Sequence, residues 1–171
     1  MKAIVVKQYG GPEVLQLQET EVGKPGKGQV LIKMAAVGVN FVEIYQRRGI
    51  YPKQLPYIAG SEGSGAIESI GEGVTDYKKG DRVSYVHQQG AYAEFAIVDA
   101  DSLISLPDDL SFEQGAAFPL QGMTAHYLVH EFRTIKPGDA VLIHAAAGGL
   151  GQLLVQWANH LGARVIWYSF Q

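Results

Sequence analysis

The sequence predicts an α/β plus β chain, with a β-rich, barrel-like first domain followed by a single βαβ unit. Three observations carry this. Residues 1 to about 110 break into short apolar runs separated by Gly, Pro, Asp and Lys turns. The texture changes over 107–122, where Pro107-Asp-Asp-Leu-Ser111 and Pro119 punctuate helical stretches. Finally, His144-Ala-Ala-Ala-Gly-Gly-Leu-Gly151 joins an apolar run, 140–146, to an amphipathic one, 150–161. A glycine-rich turn between strand and helix is the setting in which a dinucleotide pyrophosphate is held.

The elements follow in order. Ala3 to Lys7 opens the β-rich part, and the Gly10-Gly11-Pro12 turn leads to Leu15-Gln-Leu-Gln18. Lys24-Pro-Gly-Lys-Gly28 is a loop ahead of a long strand, Gln29 to Val39. Gly60 to Gly73 is glycine-rich, with a strand expected only over Ala66 to Ile70. Arg82 to Val86, Ala91 to Val98 and Leu103 to Leu106 read as further short strands, a spacing that suits a barrel. Ser111 and Gln114 have capping-box spacing, predicting a helix to about Phe118. Pro119 is expected to interrupt it, with a second helix from Gly122 to Glu131.

The βαβ unit is the clearest piece. Lys136-Pro-Gly-Asp139 makes a turn, and Ala140 to Ala145 is a nearly unbroken apolar strand of the parallel-sheet kind. Leu150, Leu153, Leu154, Trp157, Ala158 and Leu161 share a helix face, and Gly162 stands where a C-cap would. Ala163 to Tyr168 supplies the second strand. The turn reads A-x-x-G-x-x-G from Ala145, with Ala146 where the common fingerprint has its first glycine. Gly148 would let backbone approach a pyrophosphate, and Gly151 would let the helix lie close to the strand. The N–H groups at the helix start and the helix dipole favour the negative charge.

Composition excludes several classes. With 47% hydrophobic and 18% charged residues over 171 positions, the chain has material for a core and is not disordered. A formal net charge of −3 offers no basic field for nucleic acid or an acidic membrane. The absence of cysteine excludes disulfides, a thiol nucleophile and thiolate-bound zinc. No apolar run reaches membrane-spanning length, and the N-terminus turns to charge too soon for a signal peptide, so a soluble cytoplasmic protein is expected. Among five histidines, only His126 and His130, at i and i+4, could face one way on a helix, and no metal site is expected from them.

Several segments together resemble the quinone oxidoreductase branch of the zinc-independent medium-chain dehydrogenase/reductase superfamily. They are Gly10-Gly-Pro-Glu-Val-Leu15, Val37-Gly-Val-Asn-Phe41, Gly60-Ser-Glu-Gly63, Lys79-Gly-Asp-Arg-Val83, Ala117-Phe-Pro-Leu-Gln-Gly-Met-Thr124 and Ala145 to Gly151. The resemblance implies a GroES-like β-barrel catalytic domain over 1–120, followed over 121–171 by the first βαβ of a truncated Rossmann domain. It also implies NADPH as cofactor and a quinone or enone as substrate. The positions matching the zinc ligands of metal-dependent relatives are Asn40, Ser61 and Gln121, none a good zinc ligand. Asn40, Tyr45 and Tyr51 match polar residues lining the nicotinamide and quinone end of the cleft. Thr124 matches a position beside the nicotinamide, and Ala146, Gly148, Gly149, Leu150 and Gly151 match the cofactor turn. For the tyrosines, plain packing is the competing reading.

The pattern departs from the resemblance at Ile166-Trp-Tyr-Ser-Phe-Gln171. Tyr168 and Ser169 supply neither the acidic residue expected for NAD nor an Arg for NADP. One βαβ unit also leaves an apolar sheet face and strand edges uncovered, so self-association or a homodimer is expected. The leading expectation is an NADPH:quinone oxidoreductase, or the N-terminal part of one, binding NADPH more weakly than a full-length relative. The alternatives are a non-catalytic truncated remnant serving as a binding or partner module, and an enoyl or alkenal reductase.

Overall fold

The computed structural model describes residues 1–168, and the chain divides into two compact units, Met1–Pro119 and Leu120–Gln171. In the first, β1 (Lys2–Val6) pairs antiparallel with β2 (Gln16–Glu19) and with β4 (Tyr57–Ile58), giving a sheet ordered β2-β1-β4. A larger antiparallel sheet is built on β3 (Gln29–Val37), β5 (Glu62–Ile70), β6 (Arg82–Val86), β7 (Phe95–Asp99) and β8 (Leu103–Ser105), ordered β7-β3-β5-β6-β8. A bridge between Ala3 and Ala93, with Ile4 N–H donating to Tyr92 O at 2.8 Å, joins the two sheets.

Alternation sets the core of this unit, because residues two apart share a strand face. Val30 and Ile32 of β3, Val83 and Tyr85 of β6, Ile67 and Val98 turn inward and are fully buried. Each such side chain contributes about 1.5–3 kcal/mol of burial. Val6, Val14 and Ala59 form a smaller cluster under the β1 sheet. Helix α2 (Phe112–Ala117) packs on β3 and β5. It carries the expected capping box, with Gln114 N–H donating to Ser111 Oγ at 3.2 Å and Ser111 N–H to Gln114 Oε1 at 2.8 Å.

The structure differs from the sequence expectations in several places, the short strand β4 among them. A helix, α1 (Phe41–Arg47), follows β3 where no element was expected. The strand expected over 66–70 begins at Glu62, running through Gly63 and Gly65. A Cβ on Gly65 would meet Lys33 of β3 and stand 2.9 Å from the Ile32 side chain, so glycine lets the strands cross where their register shifts. The strand expected over 91–98 is regular only from Phe95. Helix α3 starts at Pro119 and runs to His126, because proline at a first helical position loses no hydrogen bond, and it continues as a π-helical segment, Tyr127–Phe132.

In the second unit, β9 (Ala140–His144), α4 (Gly149–His160) and β10 (Arg164–Tyr168) make the βαβ, the strands parallel and in register from Ala140–Arg164 to His144–Tyr168. Val141, Ile143 and Val165 pack against Leu154, Val155 and Ala158 of α4. Gly162, at φ +81°, ends the helix in the left-handed region. Leu142 and Ile166, on the opposite strand face, are 56% and 51% exposed, so among the described residues one side of this sheet is covered.

Burial pushes the Tyr85 phenol well above its ordinary range. The unfolded phenol ionises near pH 10, so the folded chain holds the proton more tightly and loses stability as pH rises past about 10. Urea midpoints measured from pH 8 to 11 are expected to fall more steeply for the native sequence than for Tyr85→Phe.

Candidate functional site

The polar site of the first unit is organised by Glu43. This residue is the third of α1, and its Oε2 accepts the Asn40 N–H at 2.7 Å, one half of a capping box. The same carboxylate accepts Ser61 Oγ at 3.1 Å and the Tyr92 hydroxyl at 2.8 Å. Asn40 turns its side chain inward, and Nδ2 donates to Glu62 Oε2 at 2.7 Å, with Glu62 fully buried. Burial, the bond to Glu43 and the charges of Glu43 and Glu62 push the Tyr92 phenol upward, in that order. Asn40 and Ser61 are therefore donors to carboxylates in one network.

Tyr45 of α1 and Tyr51, in the bend that follows the helix, come together elsewhere. Their rings meet edge to face at 5.3 Å, and Phe41 meets Tyr45 at the same distance. Tyr51 is 54% exposed, and its N–H donates to Tyr45 O at 3.2 Å. The helix thus presents an aromatic edge to solvent and a polar network to the interior, with Asn40 at its start.

In the second unit, the chain leaves β9 through Ala145, at φ +52°. Gly148 N–H donates back to Ala145 O at 2.9 Å, and Gly148 is the N-cap of α4. A Cβ on Gly151 would strike Ala145 O and stand 2.7 Å from Ala146 Cα, so only glycine lets the helix sit this close to the strand end. A Cβ on Gly148 would meet Ala145 O alone, at 3.2 Å, and otherwise points into open space. The Gln121 amide lies over Gly149, 2.6 Å from where its Cβ would be. The first N–H groups of α4 have no partner inside the helix, and the positive end of its dipole lies there. Beside the turn is a cavity of about 310 Å3, lined by Ala146, Ala147, Gln152, Val155, Gln156 and Trp167.

Thr124, on α3, donates its hydroxyl to Leu120 O at 2.6 Å. His126 and His130 stack at 4.7 Å and meet the Trp157 ring edge at 5.6 and 5.4 Å. His144 and Tyr168, paired across the strand ends, touch through Nδ1 and the phenol. Ser169, read as a cofactor-discriminating position, lies outside the described residues. Glu43, Glu62 and Tyr92 were not singled out from sequence. Asn40-x-x-Glu43 has capping-box spacing and could have revealed the first, but Tyr92 reaches Glu43 only through the fold. Replacing Glu43 by Leu strands three donors and is expected to destabilise by about 3 kcal/mol, against about 1 kcal/mol for Glu43→Gln, as read from urea unfolding.

Residues 26–108 match the alcohol dehydrogenase GroES-like domain. The quinone oxidoreductase of Pseudomonas aeruginosa is 42% identical over 167 residues, covering 96% of this chain and 51% of that protein. A 2-haloacrylate reductase of a Burkholderia species is 45% identical over 172 residues, again covering 96% of the chain and 51% of the relative. The crystal structure of Escherichia coli quinone oxidoreductase complexed with NADPH superposes with a TM-score of 0.95 at 41% identity, covering 98% of this chain and 52% of that one. The chain spans about half the length of the curated relatives it matches. Over nearly all of its own length it is a homologue of quinone oxidoreductases and superposes on their solved structures.

Proposed function

We propose that the chain is the catalytic domain and cofactor turn of an NADPH-dependent oxidoreductase, acting on a quinone or enone. The observation that carries this is the β9–α4 turn, where Gly148 leaves room for a phosphate against unpaired helix N–H groups. In this reading residues 1–120 are the substrate-side domain and 121–171 the start of the nucleotide-binding domain. Ala146, Gly148, Gly149, Leu150 and Gly151 hold the pyrophosphate, and Thr124 stands by the nicotinamide.

NADPH, when bound, supplies the hydride. The chain's own residues position and stabilise. The backbone N–H groups of the turn neutralise phosphate charge with no side-chain reorganisation. Asn40, held by Glu43 and Glu62, keeps its amide oxygen and remaining donor in one orientation, for the nicotinamide amide or a substrate carbonyl. Tyr45 and Tyr51 offer ring faces to a flat substrate and phenol O–H groups to a developing oxyanion. The likeness to a 2-haloacrylate reductase favours a second reading, reduction of an activated carbon–carbon double bond by the same parts. We also propose that the exposed Leu142 and Ile166 face is covered by a second copy of the chain.

Titration of the 171-residue chain with NADPH, followed by nicotinamide fluorescence with NADH as control, is expected to show saturable binding weaker than about 1 μM. Absence of saturable binding to folded protein would refute the reading of the turn. Gly148→Val is expected to weaken binding at least about tenfold with the circular dichroism spectrum unchanged. Parallel NADPH-oxidation assays with a naphthoquinone and with 2-chloroacrylate separate the two substrate readings, each predicting turnover of its own compound first.

A further inference from the structure

The second unit carries a pair of histidines that neither its glycine-rich turn nor its buried core uses. His126 ends α3, and His130 lies one turn on, in the π-helical segment Tyr127–Phe132. Residues four apart stand on one side of a helix, and here the ring centres are 4.7 Å apart with 44° between the ring planes. Trp157 of α4 meets both rings, at 5.6 and 5.4 Å between centres. Among the described residues neither imidazole makes a hydrogen bond. No ring nitrogen of His130 is closed to solvent, and His126 is exposed.

Packing on Trp157 accounts for one imidazole at this place. It gives no reason for a second laid beside the first, with nitrogens left open. Paired imidazoles within reach of one centre, and accessible to water, are what a divalent transition ion requires. A metal–nitrogen bond of about 2.0 Å sets each ring centre roughly 3.2 Å from an ion, so centres 4.7 Å apart subtend roughly 95° there. That is close to the right angle between neighbouring ligands of a tetragonal ion, and short of the tetrahedral angle that zinc takes. Trp157, touching both rings, restricts their rotation, so little side-chain freedom is left to lose on binding.

Spacing alone predicts no metal here, since no acidic residue completes a metalloprotease pattern. The ring separation and the open nitrogens supply the reason instead. Among the described residues no group of three or more His, Cys, Asp or Glu gathers to hold a metal, so water fills the remaining positions and the ion is exchangeable. We propose that His126 and His130 form a two-imidazole site for copper(II), the divalent first-row ion that nitrogen donors hold most tightly. The site lies wholly in the second unit and does not depend on the cofactor reading.

The test uses the full 171-residue chain carrying Trp167→Phe, which leaves Trp157 as the single tryptophan. Copper(II) is titrated from a glycine-buffered supply and read by fluorescence, calorimetry and electron paramagnetic resonance. One equivalent is expected to bind, to quench Trp157 and to give the spectrum of a tetragonal ion with two imidazole nitrogens. His126→Gln and His130→Gln are each expected to weaken binding at least about tenfold, because each removes the effective concentration that a second ligand supplies. His87→Gln, in the first unit, is expected to change nothing. Zinc(II) is expected to bind at least about tenfold more weakly than copper(II). No binding to a folded chain, affinity unmoved by both histidine variants, an unquenched Trp157 at saturation, or zinc held as tightly as copper overturns the proposal. Should one histidine variant fail to fold, the other and the resonance spectrum decide it.

Discussion

One carboxylate, Glu43, accepts a backbone N–H from Asn40, a hydroxyl from Ser61 and a phenol from Tyr92. Those donors come from the start of α1, the entry to β5 and the connection before β7. Three donors fill the lone pairs of this half-buried carboxylate, so the three segments are bound to a common geometry. The consequence reaches the surface through α1. Fixing the start of the helix fixes where its aromatic edge, Phe41 and Tyr45, stands, and with it Tyr51, which packs on Tyr45. The role proposed for Asn40 therefore rests on the carboxylates that hold it.

The βαβ turn works by subtraction instead. Its features follow from atoms that are missing: no Cβ at Gly151, where the helix meets the strand end, and none at Gly148, where the N-terminus of α4 opens. Gln121 lies against Gly149 and so contributes to the second unit's turn.

Local signals in the sequence were read most reliably. The strand–turn–helix around 140–161 and the Ser111–Gln114 capping box involve residues within a few positions of one another, and both stand in the structure as expected. The Asn40–Glu43 box has the same spacing but follows a strand whose alternation masks it, and Phe41 to Tyr45 is too short an apolar run to declare a period. Gly63 and Gly65 read as loop because glycine disfavours strands, and only the close crossing with β3 shows why a strand needs them. The Glu62 and Tyr92 contacts join residues tens of positions apart and leave no local trace.

The first strand has a further consequence, in time rather than space. Lys2 O accepts Glu94 N–H at 3.1 Å, Lys2 N–H donates to the Glu94 carboxylate at 2.8 Å, and Ile4 N–H reaches Tyr92 O. A segment made at the start of synthesis thus waits for partners some ninety residues later. At about 5–20 residues per second, that interval is roughly 5 to 20 s. Until then β1 has its local hairpin with β2 and, once residues 57–59 are made, its pairing with β4, while its other partners are still to come. Non-local closure of this kind makes a domain slow to fold, and its first strand among the last to be locked.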